Sequence, residues 1–377
     1  MKRKTVLFLA FSLLLFGCKD NDKNNISLFI GSYSNSADEG VSIYNFNQAT
    51  GEAVRLAGVK GVENPSYLAI SDDKKSIYAV AENGTENSTV NFITFCKDSF
   101  ELKLKDSVNT LSGGPCFIEF SPDGRFLVTA NYGGGSISII GIGENGSLSD
   151  DVHLITYSGR GLDTIRQNQS RTHQITFSPE GKYMFVTDLG TDKIYIYTLN
   201  EEYSKETGLN GQLINYEAGF NTCDLEPGSG PRHMCFHPGG HYAYLINELS
   251  GKVSVMSYYD GKLKLLQEVA ADTTGAKASG DIHISKDGRY LYASNRRIND
   301  GIAVFSVDKH TGFLTKIGYQ RTANHPRNFI FTPNGKYMLV ACKNDNCVQI
   351  YKVNKTTGML KNTGKEIKEN SPVCLKF

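Results

Sequence analysis

The stretch FSPDGRFLVTANY, Phe120 to Tyr132, decides how the rest of the chain is read. An apolar residue comes first, then Ser-Pro-Asp-Gly, then a run of Phe, Leu, Val and Tyr. Asp-Gly between apolar runs marks a tight turn joining two strands. The pattern returns as FSPEGKYMFVTDLG from Phe177, FHPGGHYAYLINEL from Phe236, ISKDGRYLYASNRR from Ile284 and FTPNGKYMLVACKN from Phe331. A weaker copy, ISDDKKSIYAVAEN, starts at Ile70. Successive starts lie 50, 57, 59, 48 and 47 residues apart, a spacing that belongs to blades or solenoid units.

Each copy continues in the same way. A third β-type run follows, as in GSISIIGI (Gly135 to Ile142) and DKIYIYTL (Asp192 to Leu199), and a polar turn leads to a fourth, as in GFLTKIGY (Gly312 to Tyr319). Four-stranded meanders repeated around an axis make a β-propeller. At the N-terminus LFIGSY (Leu28 to Tyr33) matches a second strand and has no first strand before it. The C-terminal SPVCLKF (Ser371 to Phe377) matches the first-strand segments GPCFIEF and HPRNFIF. The expected fold is therefore all-β, a seven-bladed propeller closed by its C-terminal strand beside the N-terminal blade. Such closure leaves no open pairing edge.

Aligning the repeats isolates sets of positions at one end of the blades. The start of the first strand carries Ser66, Cys116, His173, Arg232, Gly280, Arg327 and Val373. The end of the second strand carries Ser32, Ala81, Asn131, Asp188, Asn247, Asn295 and Cys342, with Tyr33, Glu82, Tyr132, Leu189, Glu248, Arg296 and Lys343 just beyond. Antiparallel neighbours bring a strand start and a strand end together, so all these positions are expected at one opening. Half of that ring collects His173, Arg232, Glu248, Arg296 and Arg327, with Arg171 and His233 alongside. Converging guanidinium groups suit a carboxylate or phosphate, and Glu248 can orient an arginine or accept a proton. Rim residues that only hold blades in register would look similar. Arg171, His233, Arg327, Asn131, Asp188 and Glu82 are the expected substrate-binding set.

His233, His237 and His241 have an even spacing that on a helix would form a metal-ligand face. The repeat puts His237 and His241 on a turn at the far end from the cationic ring, and His283 and His310 in separate places. No metal and no cofactor are expected. No phosphate loop, dinucleotide fingerprint or G-x-S-x-G elbow is present in its required context.

The chain has 377 residues, with 40 Lys plus Arg against 39 Asp plus Glu, so charge steers it towards neither nucleic acid nor anionic lipid. It has no Trp, but 20 Tyr and 20 Phe favour strands. MKRK and the apolar TVLFLAFSLLLF precede Cys18 and have the shape of a secretory leader. LFGC resembles a bacterial lipobox. That resemblance implies cleavage before Cys18, a lipid on Cys18, and an exported lipoprotein held at the periplasmic or cell-surface side. The expected organisation is a leader over 1–18, a polar tether over 19–26 and one domain over 27–377. Membrane contact is expected only through the N-terminal lipid. Seven cysteines remain after Cys18, too odd a count for a fully paired disulfide framework. Cys116, Cys235 and Cys374 fit as small buried thiols, and Cys342 and Cys347 could meet across a hairpin.

IGSY (Ile30 to Tyr33), GSGPRHMCFHPGGHYAYLINEL (Gly228 to Leu249), SPDGRFLVTANYGGGSISI (Ser121 to Ile139) and HPRNFIFTPNGKYMLVA (His325 to Ala341) together resemble the seven-bladed propeller lactonases of the 6-phosphogluconolactonase type, which are related to carboxymuconate-lactonising enzymes. The resemblance covers Leu28 to Phe377. It implies hydrolysis of a lactone ring in an anionic, sugar-derived substrate, without metal, by general acid/base and arginine electrostatics. It also implies a catalytic set of His173 in SRTHQITFSP, Arg232 in GPRH, Glu248 in NEL and a second arginine at Arg296, with Arg297 adjacent. The alternative is a non-catalytic exported propeller that binds an anionic carbohydrate or a protein partner.

Overall fold

The structure is a computed structural model that describes residues 22–84, 86–200 and 213–377. The expected leader with Cys18, and the first three residues of the tether, 19–21, lie outside the described residues. Seven four-stranded antiparallel sheets are formed. Blade two comprises Leu68–Ile70, Ser76–Val80, Thr89–Cys96 and Glu101–Asn109; blade five comprises Pro231–Phe236, Tyr242–Asn247, Lys252–Tyr259 and Lys262–Ala270. Blades three, four, six and seven begin at Pro115, Thr172, Ser279 and Pro326.

Blade one is made from both ends of the chain. Asn25–Ser32, Val41–Asn47 and Glu52–Val59 are joined by Pro372–Lys376 as the innermost strand. Ile30 pairs with Leu375 and Gly31 with Cys374, so the ring closes as the sequence implies. The first blade strand starts at Asn25, inside the segment expected as tether.

The turn formers explain the repeat. In blade three Ser121 Oγ accepts the Phe126 N–H at 3.0 Å and donates to Asp123. Ser71 Oγ, Ser285 Oγ and Thr332 Oγ1 cap the equivalent turns in their own blades. In blade five His237 stands in the serine's place, and its Nδ1 accepts the Gly239 N–H at 2.9 Å. His237 is thus a turn cap at the end of the blade away from the strand starts.

The first strands of successive blades pack against one another around the axis. Aromatic pairs fill the gaps between blades, such as Phe185 against Phe236 at 5.4 Å and Phe46 against Tyr337 at 6.1 Å. Fourth strands lie outermost and are largely exposed. Cys342 and Cys347 are register partners at the hairpin end, and both are free thiols. Among the described residues no helix is long and apolar enough to cross a membrane.

Candidate active site

One backbone device builds the site. In six of the seven blades the innermost strand contains a bulge where pairing with the second strand skips a residue. The skipped residues are Val373, Cys116, His173, Arg232 and Arg327, and in blade six Gly280 with Asp281. A bulge leaves one residue out of the ladder and re-aims its side chain. The repeat position that sequence alignment isolates is this bulge. In GPRH, Gly230 prepares it with φ +65°, and an added Cβ there would stand 2.5 Å from Leu249. The Gly230 carbonyl accepts the Glu248 N–H at 2.7 Å, which fixes Arg232 beside the acid.

Glu248, 4% exposed, is the hub of one half of the mouth. Its Oε2 accepts from Arg232 Nε at 2.9 Å and pairs with Arg296 Nη2 at 3.2 Å. Its Oε1 pairs with Arg166 Nη2 at 2.5 Å. Arg232 also donates to the Gly280 carbonyl at 2.8 Å, and Arg296 to the carbonyls of Ala278 and Ser279 at 2.8 and 3.0 Å. Both arginines are therefore rigid. Burial alone would raise the Glu248 carboxyl, but Arg296, Arg232 and Arg166 hold it down at about 2. Burial lowers Arg296 to about 9 despite Glu248, which leaves it charged at neutral pH.

Arg166 was not singled out in the sequence. It lies on the excursion between blades three and four, which has no counterpart in the other repeats. Buried Gln167 anchors that loop by donating to the Leu189 carbonyl at 2.9 Å and to Asp192 at 2.8 Å. Lys277 pairs with Asp163 at 3.2 Å and ties the loop across to the approach to blade six.

The other half of the mouth runs from His173 to Glu82. The His173 ring lies 5.6 Å from that of Tyr132, which Arg171 covers at 5.0 Å. Cys116 Sγ is 3.8 Å from His173 Nδ1, and burial pushes this thiol up to about 12, so it is no nucleophile at neutral pH. Arg327 pairs with Glu82 at 3.5 Å and covers Tyr33, whose hydroxyl donates to Glu82 at 2.8 Å. Lys343 also covers Tyr33. The mouth thus gathers five arginines and Lys343 around the two carboxylates Glu82 and Glu248, a cationic excess.

Three expectations need correction. Asn131 and Asp188 do not face the opening. Asn131 donates to Ser136 and Ser138 within its own blade, and Asp188 accepts from Ser170, Thr191 and the N–H groups of Arg171 and Gly190. Asn247 and Asn295 behave likewise, so the end of the second strand ties the blade together and the residue beyond it reaches the mouth. His283 is not in a separate place either. Its Nε2 meets Asp281 Oδ2 at 2.9 Å, while Asp281 Oδ1 holds His233 Nδ1 at 2.7 Å. Strand alternation puts residues 281 and 283 on one face, and the bulge of blade six, where Gly280 and Asp281 stand opposite Ser294, places Asp281 against His233. Among the described residues no group of three or more His, Cys, Asp or Glu could hold a metal ion.

The histidines of the mouth are held neutral. Burial, then Arg232, His233 and Arg327, push His173 well below 6.5. Burial and Arg232 lower His233 to about 4 against the pull of Asp281, and burial with Arg296 lowers His325 to about 3. Folded values below the unfolded one mean that the native protein binds fewer protons than the unfolded chain. The contribution is complete above about 6.5 and is lost as pH falls. Glu248 acts in the same direction, with its contribution present above about 4.5 and lost as pH falls towards 2. Stability is expected to fall steadily from pH 7 to pH 4, with fully buried His173 and His233 each contributing about 1.4 kcal/mol per pH unit below 6.5. Thermal melts across that range check this, and a midpoint that does not move would contradict the buried neutral state.

A closed seven-bladed propeller whose inner strands gather arginines, a buried carboxylate and a histidine at one end of the axis defines a class of proteins. Comparison with known proteins narrows it. The profile of the family described as lactonase, 7-bladed beta-propeller, matches residues 27–377. The 6-phosphogluconolactonase of Formosa agariphila is 34% identical over 356 residues, covering 93% of this chain and 99% of that protein. A Bacteroides fragilis structure, provisionally named a 6-phosphogluconolactonase, superposes with a TM-score of 0.89 at 41% identity, over 96% of this chain and 99% of that one. The periplasmic gluconolactonase of Pseudomonas aeruginosa superposes with a TM-score of 0.82 at 30% identity, over 93% and 98% of the two chains. The chain belongs to the seven-bladed β-propeller lactonase family, close to the 6-phosphogluconolactonases, and is an enzyme of lactonase type.

Proposed function

We propose that the chain opens the lactone ring of a sugar acid that carries a phosphate or carboxylate group. The observation that supports this best is the convergence of Arg166, Arg232 and Arg296 on Glu248, beside neutral His173 in a mouth that keeps an excess of positive charge. Water attacks the lactone carbonyl. Arginine N–H groups hold the substrate anion and the developing oxyanion, a preorganised arrangement that needs no rearrangement during the step.

His173 is the base in this proposal, and Glu248 is the holder of the arginines. A carboxylate kept near 2 by three guanidinium groups is a poor proton acceptor. Arg232 and Arg327 are among the groups that keep His173 neutral. A bound anion that neutralises them would raise its basicity when substrate arrives.

We also place the protein outside the cytoplasm as a lipoprotein anchored through Cys18. The leader pattern supports this, and a relative is a periplasmic gluconolactonase. Outside the cytoplasm, lactones of unphosphorylated acidic sugars become candidates beside the phosphorylated one. A pH-stat assay over the lactones of gluconate, 6-phosphogluconate and a uronic acid, with and without EDTA, tests the proposal. Acid release by an anionic lactone that EDTA leaves unchanged is the expected result. Binding of the corresponding open-chain acids without turnover of any lactone would instead support the non-catalytic alternative.

A further inference from the structure

His233 and Asp281 form a second acid–base pair behind His173. The His233 ring is 3% exposed and lies against Tyr67 at 6.3 Å, Phe117 at 5.5 Å and His173 at 5.0 Å between centroids. Asp281 is 2% exposed and ionised, because burial is outweighed by His283 and His233. Its carboxylate also accepts from Asn328 Nδ2 at 2.6 Å and from the Ile282 N–H at 3.0 Å. An ionised carboxylate can only accept, so the His233 proton sits on Nδ1 and the lone pair on Nε2.

That Nε2 lone pair points away from Asp281. Arg232 Nη1 lies 3.4 Å from both ring nitrogens. Nδ1 and Nε2 flank the same ring carbon, and an in-plane donor 3.4 Å from both would collide with it, so Arg232 Nη1 sits out of the ring plane. Arg232 therefore leaves the in-plane acceptor position of Nε2 open.

His173 and His233 differ in what surrounds them. On His173, burial, Arg232, His233 and Arg327 all oppose an imidazolium. His233 is faced by Arg232 on its own strand, His173 from blade four, Arg327 from blade seven and Tyr67 from blade two, but also by the Asp281 carboxylate from blade six, which His283 shares. We propose that the proton taken from the attacking water comes to rest on His233, paired with Asp281, and not on His173.

The inference rests on the lactone-hydrolysis proposal. Water oxygen bonds to the carbonyl carbon and one water proton passes to His173. His173 passes a proton to His233 Nε2, directly or through one water. The ring C–O bond then breaks, and the leaving oxygen recovers a proton by the reverse route. The product is the hydroxy acid, which ionises in solvent. Asp281 is a positioning residue that fixes the His233 tautomer and balances its charge.

Two measurements on the full chain decide the matter. In a ¹⁵N-histidine-labelled sample, NMR titration from pH 7 downwards is expected to show His233 protonated at Nδ1 when neutral and taking up its second proton before His173. The opposite order, or an Nε2–H tautomer, overturns the proposal whether or not any lactone is hydrolysed. In kinetics, His233→Asn is expected to lower kcat about 100-fold with KM within about twofold. His237→Ser, at the turn cap away from the strand starts, is expected to stay near wild type. Equal losses in both variants, or none in His233→Asn, also overturn it. Failure of the wild type on every lactone would count against the hydrolysis reading alone, since the titration order still tests where the proton rests.

Discussion

A chain truncated after Asn370 is expected to lose cooperative folding. The seven residues removed include the innermost strand of blade one. Val373, Cys374 and Leu375 are each no more than 1% exposed, and Phe377 packs on Phe46 at 5.7 Å. Burying a Val or Leu side chain contributes about 1.5–3 kcal/mol, so these contacts together exceed about 5 kcal/mol, a large part of the ~5–15 kcal/mol that usually holds a domain together. The loss also spreads. The Leu375 N–H donates to Asn328 Oδ1 at 2.8 Å, and Asn328 holds Asp281. Truncation would expose the edge of Asn25–Ser32, whose partner strand is missing, and unpaired edges associate. The expected result is a broad, low-temperature unfolding transition with aggregation, read by circular dichroism and size-exclusion chromatography. A truncated chain that melts like the full one would show that the ring does not depend on its closing strand.

The fold was legible because its information is local and repeated. Ser-Pro-Asp-Gly turns at a period near 50 residues announce two-stranded corners, and four runs per period leave few architectures. Closure was legible because SPVCLKF carries the same pattern as the first strands it joins. The site was legible only in part. Alignment picked His173, Arg232 and Arg327 as equivalent, but reading a strand as strict alternation cannot show that each is a bulge. For the same reason Asn131 and Asp188 were placed at the opening. Being at the mouth end of a strand does not decide which way a side chain turns, and theirs turn into their own blades. Asp281 follows the aligned glycine by one residue and shares its bulge, where Gly280 and Asp281 stand opposite Ser294. Arg166 could not come from a repeat at all, since the loop that carries it occurs once.

Arg232→Met is expected to remove nearly all lactone hydrolysis while the propeller stays folded. The methionine keeps most of the stem that packs in the channel and loses the head that donates to Glu248 and to Gly280. Removal of one preorganised donor to a developing oxyanion costs about 10²–10³ in rate, or about 2.7–4 kcal/mol. Glu248→Gln should also abolish activity, but for a different reason and with a different stability signature. It strips the shared counter-charge from Arg166, Arg232 and Arg296, and removing one member of a buried ion pair destabilises by about 3–5 kcal/mol. In Arg232→Met the carboxylate keeps two arginine partners, so the stability loss should be smaller. The double variant then discriminates. If Glu248 serves chiefly to hold the arginines, adding Arg232→Met to Glu248→Gln removes one of the stranded cations and raises the melting temperature above that of Glu248→Gln alone, with no further loss of rate. If Glu248 were itself the base, Glu248→Gln would lose activity with the arginines still in place, and added formate or acetate could restore part of the rate. Steady-state kinetics and melts on the three variants separate these outcomes. Full activity in Arg232→Met would remove the mouth arginine from the chemistry.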